Sequence, residues 1–244
     1  MAHYLVTGCA GFIASRVVQF LLNRGDRVTG LDNFGQEYDH RLKQWRLDQF
    51  SCANEFKYHH ADVRDVSSLS SVFGMGLDAV LSFAAKAGVR QSIEDPLAYA
   101  ETNYIGTLNL LELCNEHNVG KFVLASTSSV YGDDTPSPFN EDSWANKPLS
   151  PYASSKKAAE TLAYTYHHIY GIDTTVLRLF TVYGPAGRPD MAVFKFIRSI
   201  AEGLPIPLYG NGGKRDFTHV DDVTKGVAAA LKPIGYEIVN LGGD

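Results

Sequence analysis

No apolar run in this sequence approaches the roughly 18 residues of a membrane-spanning helix. The opening stretch, Met1 to Gly8, lacks the charged start and cleavage site of a signal peptide, and its apolar residues lead straight into a turn. Cysteine is scarce. Cys9, Cys52 and Cys114 are odd in number, far apart and without a C-x-x-C, which argues against a disulfide framework and a zinc knuckle. A reducing cytoplasm is the simplest compartment. Basic excess is missing too: 22 Lys and Arg face 27 Asp and Glu, a net charge of −5, so nucleic acid finds no electrostatic footprint. Eight histidines include the pairs His59–His60 and His167–His168, but there is no H-E-x-x-H and no carboxylate-spaced cluster. Neighbouring side chains on a strand point to opposite faces, and no metal site is expected.

What remains is an ordinary globular composition, 45% hydrophobic and 20% charged over 244 residues. At about 150 residues per domain this is between one and two domains. Such a chain buries a core without staples.

Short apolar runs alternate with longer amphipathic ones. Strands are expected at His3–Thr7, Arg27–Leu31, Phe56–His60, Ala79–Phe83, Lys121–Ala125 and Asp173–Leu179. Helices are expected at Phe12–Asn23, Val66–Phe73, Leu97–His117 and Tyr152–Tyr170. This order requires right-handed crossovers and a largely parallel sheet covered on both faces. The fold class is therefore α/β, a Rossmann-type doubly wound parallel sheet over residues 1–179. Thr135 to Pro151, with four prolines, reads as an ordered loop. After Leu179 the chain becomes rich in Gly and Pro, with one helix around Ala192–Glu202, and residues 180–216 read as a small appended lobe. Phe217–Leu231 and Glu237–Leu241, within 217–244, are expected to return to the sheet domain.

The first strand runs into Gly8-Cys9-Ala10-Gly11-Phe12-Ile13-Ala14, a G-x-x-G-x-x-A turn. Its glycines allow a tight turn and close approach of a pyrophosphate, which then sits on the positive end of the following helix. Alone the motif is weak, and a plain glycine-rich turn would look the same. Asp32 changes that. It lies 24 residues after Gly8, at the end of the second strand, where a carboxylate binds ribose hydroxyls. The same charge repels a 2′-phosphate, so NAD is favoured over NADP. Asp62–Val63 closes the third strand, where a short acidic residue can meet the adenine edge.

Tyr152 and Lys156 form Y-x-x-x-K at the start of a helix, a spacing that places both on one face. Tyrosine, with a pKa of about 10, is a poor base at neutral pH, and a neighbouring ammonium favours its phenolate. The pair suits proton exchange with a sugar or alcohol hydroxyl. A surface Tyr–Lys pair is the plainer alternative. Ser126-Thr127-Ser128-Ser129 ends the fifth strand at the carboxyl edge of the sheet, where ligands of doubly wound folds collect. A hydroxyl there can bridge Tyr152 and a substrate oxygen, or cap a turn, or both.

Together these residues resemble the extended short-chain dehydrogenase/reductases, specifically the nucleotide-sugar epimerases. The resemblance covers essentially the whole chain and includes Ala84–Ala85, Asn103–Thr107, Ser126–Gly132, Tyr152–Lys156 and Arg178–Gly184. It implies a catalytic triad of Thr127, Tyr152 and Lys156. It implies NAD held by Gly8, Gly11, Phe12, Ile13, Asp32, Asn33, Asp62, Val63, Ala84, Ala85 and Asn103, with Tyr152 and Lys156 serving cofactor and chemistry alike. Asp32-Asn33-Phe34, Tyr38-Asp39, Arg41-Leu42-Lys43 and Gly184–Ala192 are similar to the UDP-glucuronate 4-epimerase group. The implied substrate is a UDP-sugar. Its carboxylate needs neutral donors or a cation, and Ser128, Ser129 and Thr181 can supply the donors. Arg188 and Arg215 are candidates for the diphosphate, unless each pairs with a structural carboxylate.

Position 129 separates relatives: sugar dehydratases and UDP-glucuronate decarboxylases tend to carry an acid there, and Ser129 disfavours dehydration. The implied reaction is C4 epimerisation. Tyr152 takes the O4 proton as hydride leaves C4 for NAD, the 4-keto sugar turns over, and hydride returns to the other face. A neutral UDP-hexose epimerase such as a UDP-glucose 4-epimerase, a UDP-glucuronate decarboxylase, and a catalytically silent NAD-binding regulator are the competing readings. The resemblance also implies a homodimer through Leu97–His117 and Tyr152–Tyr170. It further implies helices beyond Asp244 that complete the substrate lobe, so the lobe in this chain is expected to be incomplete.

Overall fold

The computed structural model describes residues 1–206 and 215–242. Residues 207–214 of the expected lobe, Lys214 among them, and 243–244 at the end of the returning segment lie outside the described residues. The first half of the chain alternates β1 (His3–Thr7), α1 (Phe12–Asn23), β2 (Arg27–Asp32), α2 (His40–Asp48), β3 (Phe56–His60), α3 (Val66–Phe73) and β4 (Ala79–Ser82). Two short helices, α4 (Val89–Glu94) and α5 (Pro96–Tyr99), precede α6 (Gly106–Glu116) and β5 (Lys121–Thr127). Then come α7 (Pro151–Tyr170), β6 (Asp173–Leu179), β7 (Thr181–Tyr183), α8 (Ala192–Ala201), β8 (Phe217–His219), α9 (Val220–Ala229) and β9 (Tyr236–Leu241).

Seven strands form one sheet in the order β3-β2-β1-β4-β5-β6-β9, every neighbouring pair parallel. The order reverses between β1 and β4, and that switch point opens the crevice in which doubly wound folds bind ligands. Helices cover both faces, giving two apolar cores. One packs α1 and α9 on the sheet through Val17, Val18 and Leu21 with Val220, Val223 and Val227. The other packs α3, α6 and α7 through Leu69, Leu110 and Ala159. The short β7 and β8 pair with each other in a separate ribbon, so β8 is not a strand of the main sheet.

Several boundaries differ from expectation, each for a local reason. β4 stops at Ser82 because the N–H groups of Phe83 and Ala84 turn to the Thr7 hydroxyl, at 3.1 and 3.0 Å. β5 runs on to Thr127, in register with Leu179. The expected single helix Leu97–His117 is instead interrupted: Ala100–Ile105 is wound as a wider π-helical turn between α5 and α6. Such turns mark functional positions, and this one carries Asn103. At its end, a Cβ on Gly106 would lie 2.6 Å from Val63 Cγ2, so only glycine lets α6 approach β3's exit so closely. α2 has no counterpart among the expected helices. Asp39 caps it by accepting from the Arg41 N–H, but two of its three buried residues are Lys43 and Arg46, which leaves no apolar stripe to read.

Behind the carboxyl edge lies a buried ion pair. Arg178 on β6 donates from Nε and Nη2 to both oxygens of Glu160 on α7, at 3.1 and 2.9 Å, and both side chains are 1% exposed. Ser126 donates to the same carboxylate at 2.6 Å. Burial raises the Glu160 carboxyl, but Arg178, Ser126 and Lys157 outweigh it and hold its pKa below the ordinary value. Removing one partner of such a pair strands a buried charge. Arg178→Met should therefore cost roughly 3–5 kcal/mol in urea denaturation, with much of the loss recovered when Glu160→Met is added. Equal stability of parent and single variant would refute this.

Candidate active site

The cleft at the switch point is built first by the glycine turn. Gly8 has φ +70°, and a Cβ there would lie 2.9 Å from the Ala84 nitrogen. A Cβ on Gly11 would lie 2.9 Å from the Gly8 carbonyl, which accepts the Gly11 N–H at 2.8 Å. Helix α1 then begins with no side-chain cap and no acid in its first turn. Its leading N–H groups and positive end are thus available to an anion.

Asp32, at the end of β2, is buried beside this turn. Its carboxylate accepts from the Ala10 N–H at 3.1 Å and the Phe34 N–H at 2.8 Å. Burial pushes its pKa up against the pull of Lys43 and these two N–H groups. Lys43, which is 6% exposed, donates to the Gly35 carbonyl at 2.7 Å and to Glu37 at 3.3 Å. Gly8, Gly11, Phe12 and Ile13 line the cleft together with Asp32 and Asn33. Asp62, Val63, Ala84 and Ala85 line it from β3 and β4. Asp62 is already engaged: Arg64 grips both its oxygens and Asn33 donates at 2.9 Å, which holds its pKa down at about 2.

Asn103 does not line the cleft. It is 1% exposed behind the wall, where it accepts from the Lys86 N–H at 2.8 Å and donates to the Lys86 carbonyl and Ser155 hydroxyl. It ties the loop after β4 to α7 one residue before Lys156.

Tyr152, Lys156 and Arg188 also line the cleft. Pro151 opens α7 and Ser150 caps it, accepting from the Ala153 N–H at 3.1 Å. That fixes the first turn, which carries Tyr152. The stripe continues through Lys156 to Glu160, four residues apart each time. Thr127 Oγ1 accepts from the Ser129 N–H at 3.2 Å and so caps a turn, and the same hydroxyl favours ionisation of the Tyr152 phenol. Burial pushes the Tyr152 phenol up; Thr127 and then Arg188 pull it back without cancelling the rise. Arg188 is thus a second cation in the cleft with Tyr152, in addition to the Lys156 expected from spacing. Tyr99 sets its ring edge-on to Tyr152, centroids 6.2 Å apart.

Arg188 pairs with Asp190 through Nε at 3.0 Å and Nη2 at 2.6 Å. Ser128, Ser129 and Thr181 sit half-buried at the carboxyl edge, outside the lining of the cleft. Arg215 is exposed before β8 and does not line it. Lys43, Arg46, Arg64 and Arg178 were not singled out as site residues by motif spacing, although Arg178 opens the R-L-F-T-V-Y-G stretch. No group of three or more His, Cys, Asp or Glu among the described residues is placed to hold a metal ion. No helix among them is long and apolar enough to cross a membrane.

A cleft of this construction, on this strand order, defines a dinucleotide-dependent enzyme of the short-chain dehydrogenase/reductase type. The family model for the NAD dependent epimerase/dehydratase family matches residues 4–242, and the chain belongs to that family. It is 53% identical to a UDP-glucuronate 4-epimerase of Thermodesulfobacterium geofontis, across the whole of this chain and 76% of that protein. It is 42% identical to UDP-glucuronate 4-epimerase 1 of Arabidopsis thaliana, over 98% of this chain and 60% of that one. The crystal structure of the UDP-glucuronic acid 4-epimerase from Bacillus cereus, in complex with UDP-glucuronic acid and NAD, superposes with a TM-score of 0.93. That match is 38% identical and covers 99% of this chain and 78% of the other.

The cleft fits NAD. Added Cβ atoms at Gly8 and Gly11 would close the cradle, α1 offers free N–H groups, and the Asp32 carboxylate would meet a 2′-phosphate with like charge.

Lys156, 3% exposed, has its pKa brought down to about 8 by burial, with Glu160 pulling the other way. Its folded value lies below its ordinary 10.5. Below about pH 8 both states are protonated and the full cost of burying the ammonium is present. Stability then rises with pH until the unfolded chain also loses the proton. Lys156→Met should raise the Tm near pH 7 and abolish that rise, as read from melts between about pH 7 and 10.5. A variant keeping the parent's slope would contradict this.

Proposed function

We propose that this chain is an NAD-dependent 4-epimerase of UDP-sugars, interconverting UDP-glucuronate and UDP-galacturonate. The observation that carries the reading is one cleft lined by Tyr152, Lys156 and Arg188 and by the glycine turn with Asp32. Identity of 53% to a UDP-glucuronate 4-epimerase supports the substrate.

When bound, NAD supplies a hydride acceptor for C4 of the sugar and returns the hydride to the opposite face. The protein's part is proton transfer and restraint. Tyr152, as phenolate, takes the proton of the O4 hydroxyl, and Thr127 orients the phenol and the sugar oxygen. Lys156 and Arg188 favour the phenolate electrostatically. Once the 4-keto sugar has turned in the site, the Tyr152 phenol returns the proton. Ser128, Ser129 and Thr181 hold the sugar carboxylate with neutral hydroxyls, and Arg188 and Arg215 anchor the diphosphate. The 4-keto uronate is a β-keto acid, and neutral donors at residues 128 and 129 keep its carboxylate out of alignment for loss of carbon dioxide. In this reading residues 1–179 with 217–244 form the cofactor unit and 180–216 belong to the substrate lobe.

Tyr152→Phe should lower kcat by about 10²–10⁴-fold with NAD content unchanged, followed by NMR detection of UDP-galacturonate formed from UDP-glucuronate. Undiminished turnover would sink the mechanism. UDP-glucose as the better substrate would favour the neutral-hexose alternative, and Ser128→Ala or Thr181→Ala should release more pentose by-product. We also propose a cytoplasmic homodimer. Three unpaired cysteines fit a reducing compartment, and exposed Leu97, Tyr164 and Ile169 on α5 and α7 offer apolar faces to a second copy. Light scattering of a species at the monomer mass would remove the dimer.

A further inference from the structure

Arg46 is a buried cation of an unusual kind. Lys43, Lys121 and Arg178 each pair with a carboxylate, whereas Arg46, 2% exposed on α2, spends its guanidinium on neutral oxygens. Nε and Nη2 donate to the Ala186 carbonyl at 3.1 and 2.7 Å. Nη1 donates to the Ala10 carbonyl at 3.2 Å and the Tyr38 hydroxyl at 2.6 Å. One side chain thus joins the cofactor turn to a loop 140 residues away in sequence.

That loop is strained where Arg46 holds it. The Gly187 N–H donates to the Gly184 carbonyl at 3.2 Å, closing a four-residue turn with Pro185 second and Ala186 third. Ala186 has φ +58°. Proline second with positive φ third is the type II pattern, whose third position favours glycine. An alanine stays there only when its surroundings impose it. The Arg46 fork on its carbonyl is such a constraint. Two residues later Arg188 enters the cleft, restrained on one side by Asp190. The Arg46 and Arg188 guanidiniums also lie over the same Tyr38 ring, at 5.3 and 6.0 Å.

We propose that Arg46 is a positioning residue: it clamps the Gly184–Gly187 turn to the cofactor turn at Ala10 and so sets Arg188 beside Tyr152. The inference rests on the proposed role of Tyr152 and adds a residue to that same site. It requires a guanidinium, since a lysine ammonium is a point donor and cannot make the two-bond fork.

The test compares the NAD-loaded parent with Arg46→Met, Arg46→Lys, Arg188→Met and the double Arg46→Met/Arg188→Met. Arg46→Met should lower kcat/KM for UDP-glucuronate by about 10- to 100-fold, as displacement of a positioned group does. Arg46→Lys should recover only part of the loss. The double variant should be no slower than Arg188→Met, because residues acting through one another are not additive. Hydrogen exchange over residues 184–191 should quicken in Arg46→Met. Additive losses, or parental activity and exchange in Arg46→Met, would overturn the proposal. If Arg46→Met does not fold, Arg46→Lys in the Arg188→Met background carries the same comparison. If the parent itself shows no epimerase activity, the functional reading fails. Exchange at 184–191 then still decides the clamp: faster supports it, unchanged refutes it.

Discussion

The Glu160–Arg178 pair is the contact on which the geometry of the cleft depends. Tyr152, Lys156 and Glu160 share one stripe of α7, so fixing Glu160 against β6 fixes the angle at which the other two face the cleft. Ser126 joins the same carboxylate from β5, one residue before Thr127. A single buried charge pair therefore aligns the strand that ends in Thr127 with the helix that begins at Tyr152. Arg178 reaches outward as well, lying 4.8 Å over the Tyr131 ring, whose hydroxyl donates to Asn240 on β9. Buried pairs of this kind add little net stability, but they punish misalignment heavily, and in a site read to tenths of an ångström that is their use.

A second constraint is electrostatic. The cleft must be dry enough to favour hydride chemistry, yet burial raises the Tyr152 phenol and lowers the Lys156 ammonium, pushing both toward their neutral forms. Neutral tyrosine is the wrong state for taking a proton. Arg188 acts against this, and its guanidinium keeps its charge above about pH 8 as well, where the Lys156 ammonium loses its proton. The cofactor end obeys the same logic with opposite sign. Asp32 and Glu37 are buried or half-buried acids, and Lys43 pulls on both: burial still leaves Asp32 above its ordinary value, while Glu37 ends below its own.

The inner strands β1, β4, β5 and β6 were legible because each is a run of mostly apolar and β-branched residues buried on both faces, as Val80 and Val123 are. The glycine turn, Asp32 and Y-x-x-x-K were legible because their chemistry depends on local spacing. What escaped depends on partners distant in sequence. Helix α2 buries Lys43 and Arg46, and nothing in their local spacing shows that Gly35, Ala10 and Ala186 receive them. The break in the helix after Tyr99 escaped because Asn103 is aimed by Lys86 and Ser155, not by its own neighbours. Arg188 was legible as a cation for a diphosphate or for a structural carboxylate; that the carboxylate is Asp190, two residues on, and that it shares the cleft with Tyr152 were not.

These long-range ties divide unequally between the two parts of the chain. The cofactor side rests on a seven-stranded sheet with two cores. Between Leu179 and α9 the described structure offers a two-stranded ribbon and α8, a helix with no buried residue. If residues 180–216 hold the sugar, as proposed, an epimerase that must let a keto sugar turn over needs that end held less firmly than the cofactor end, and this distribution of burial has that sense. Arg46 is a side chain that crosses between the two, and three of its four hydrogen bonds go to the Ala10 and Ala186 carbonyls: a clamp on backbone sets the path of a loop, whatever side chains that loop carries.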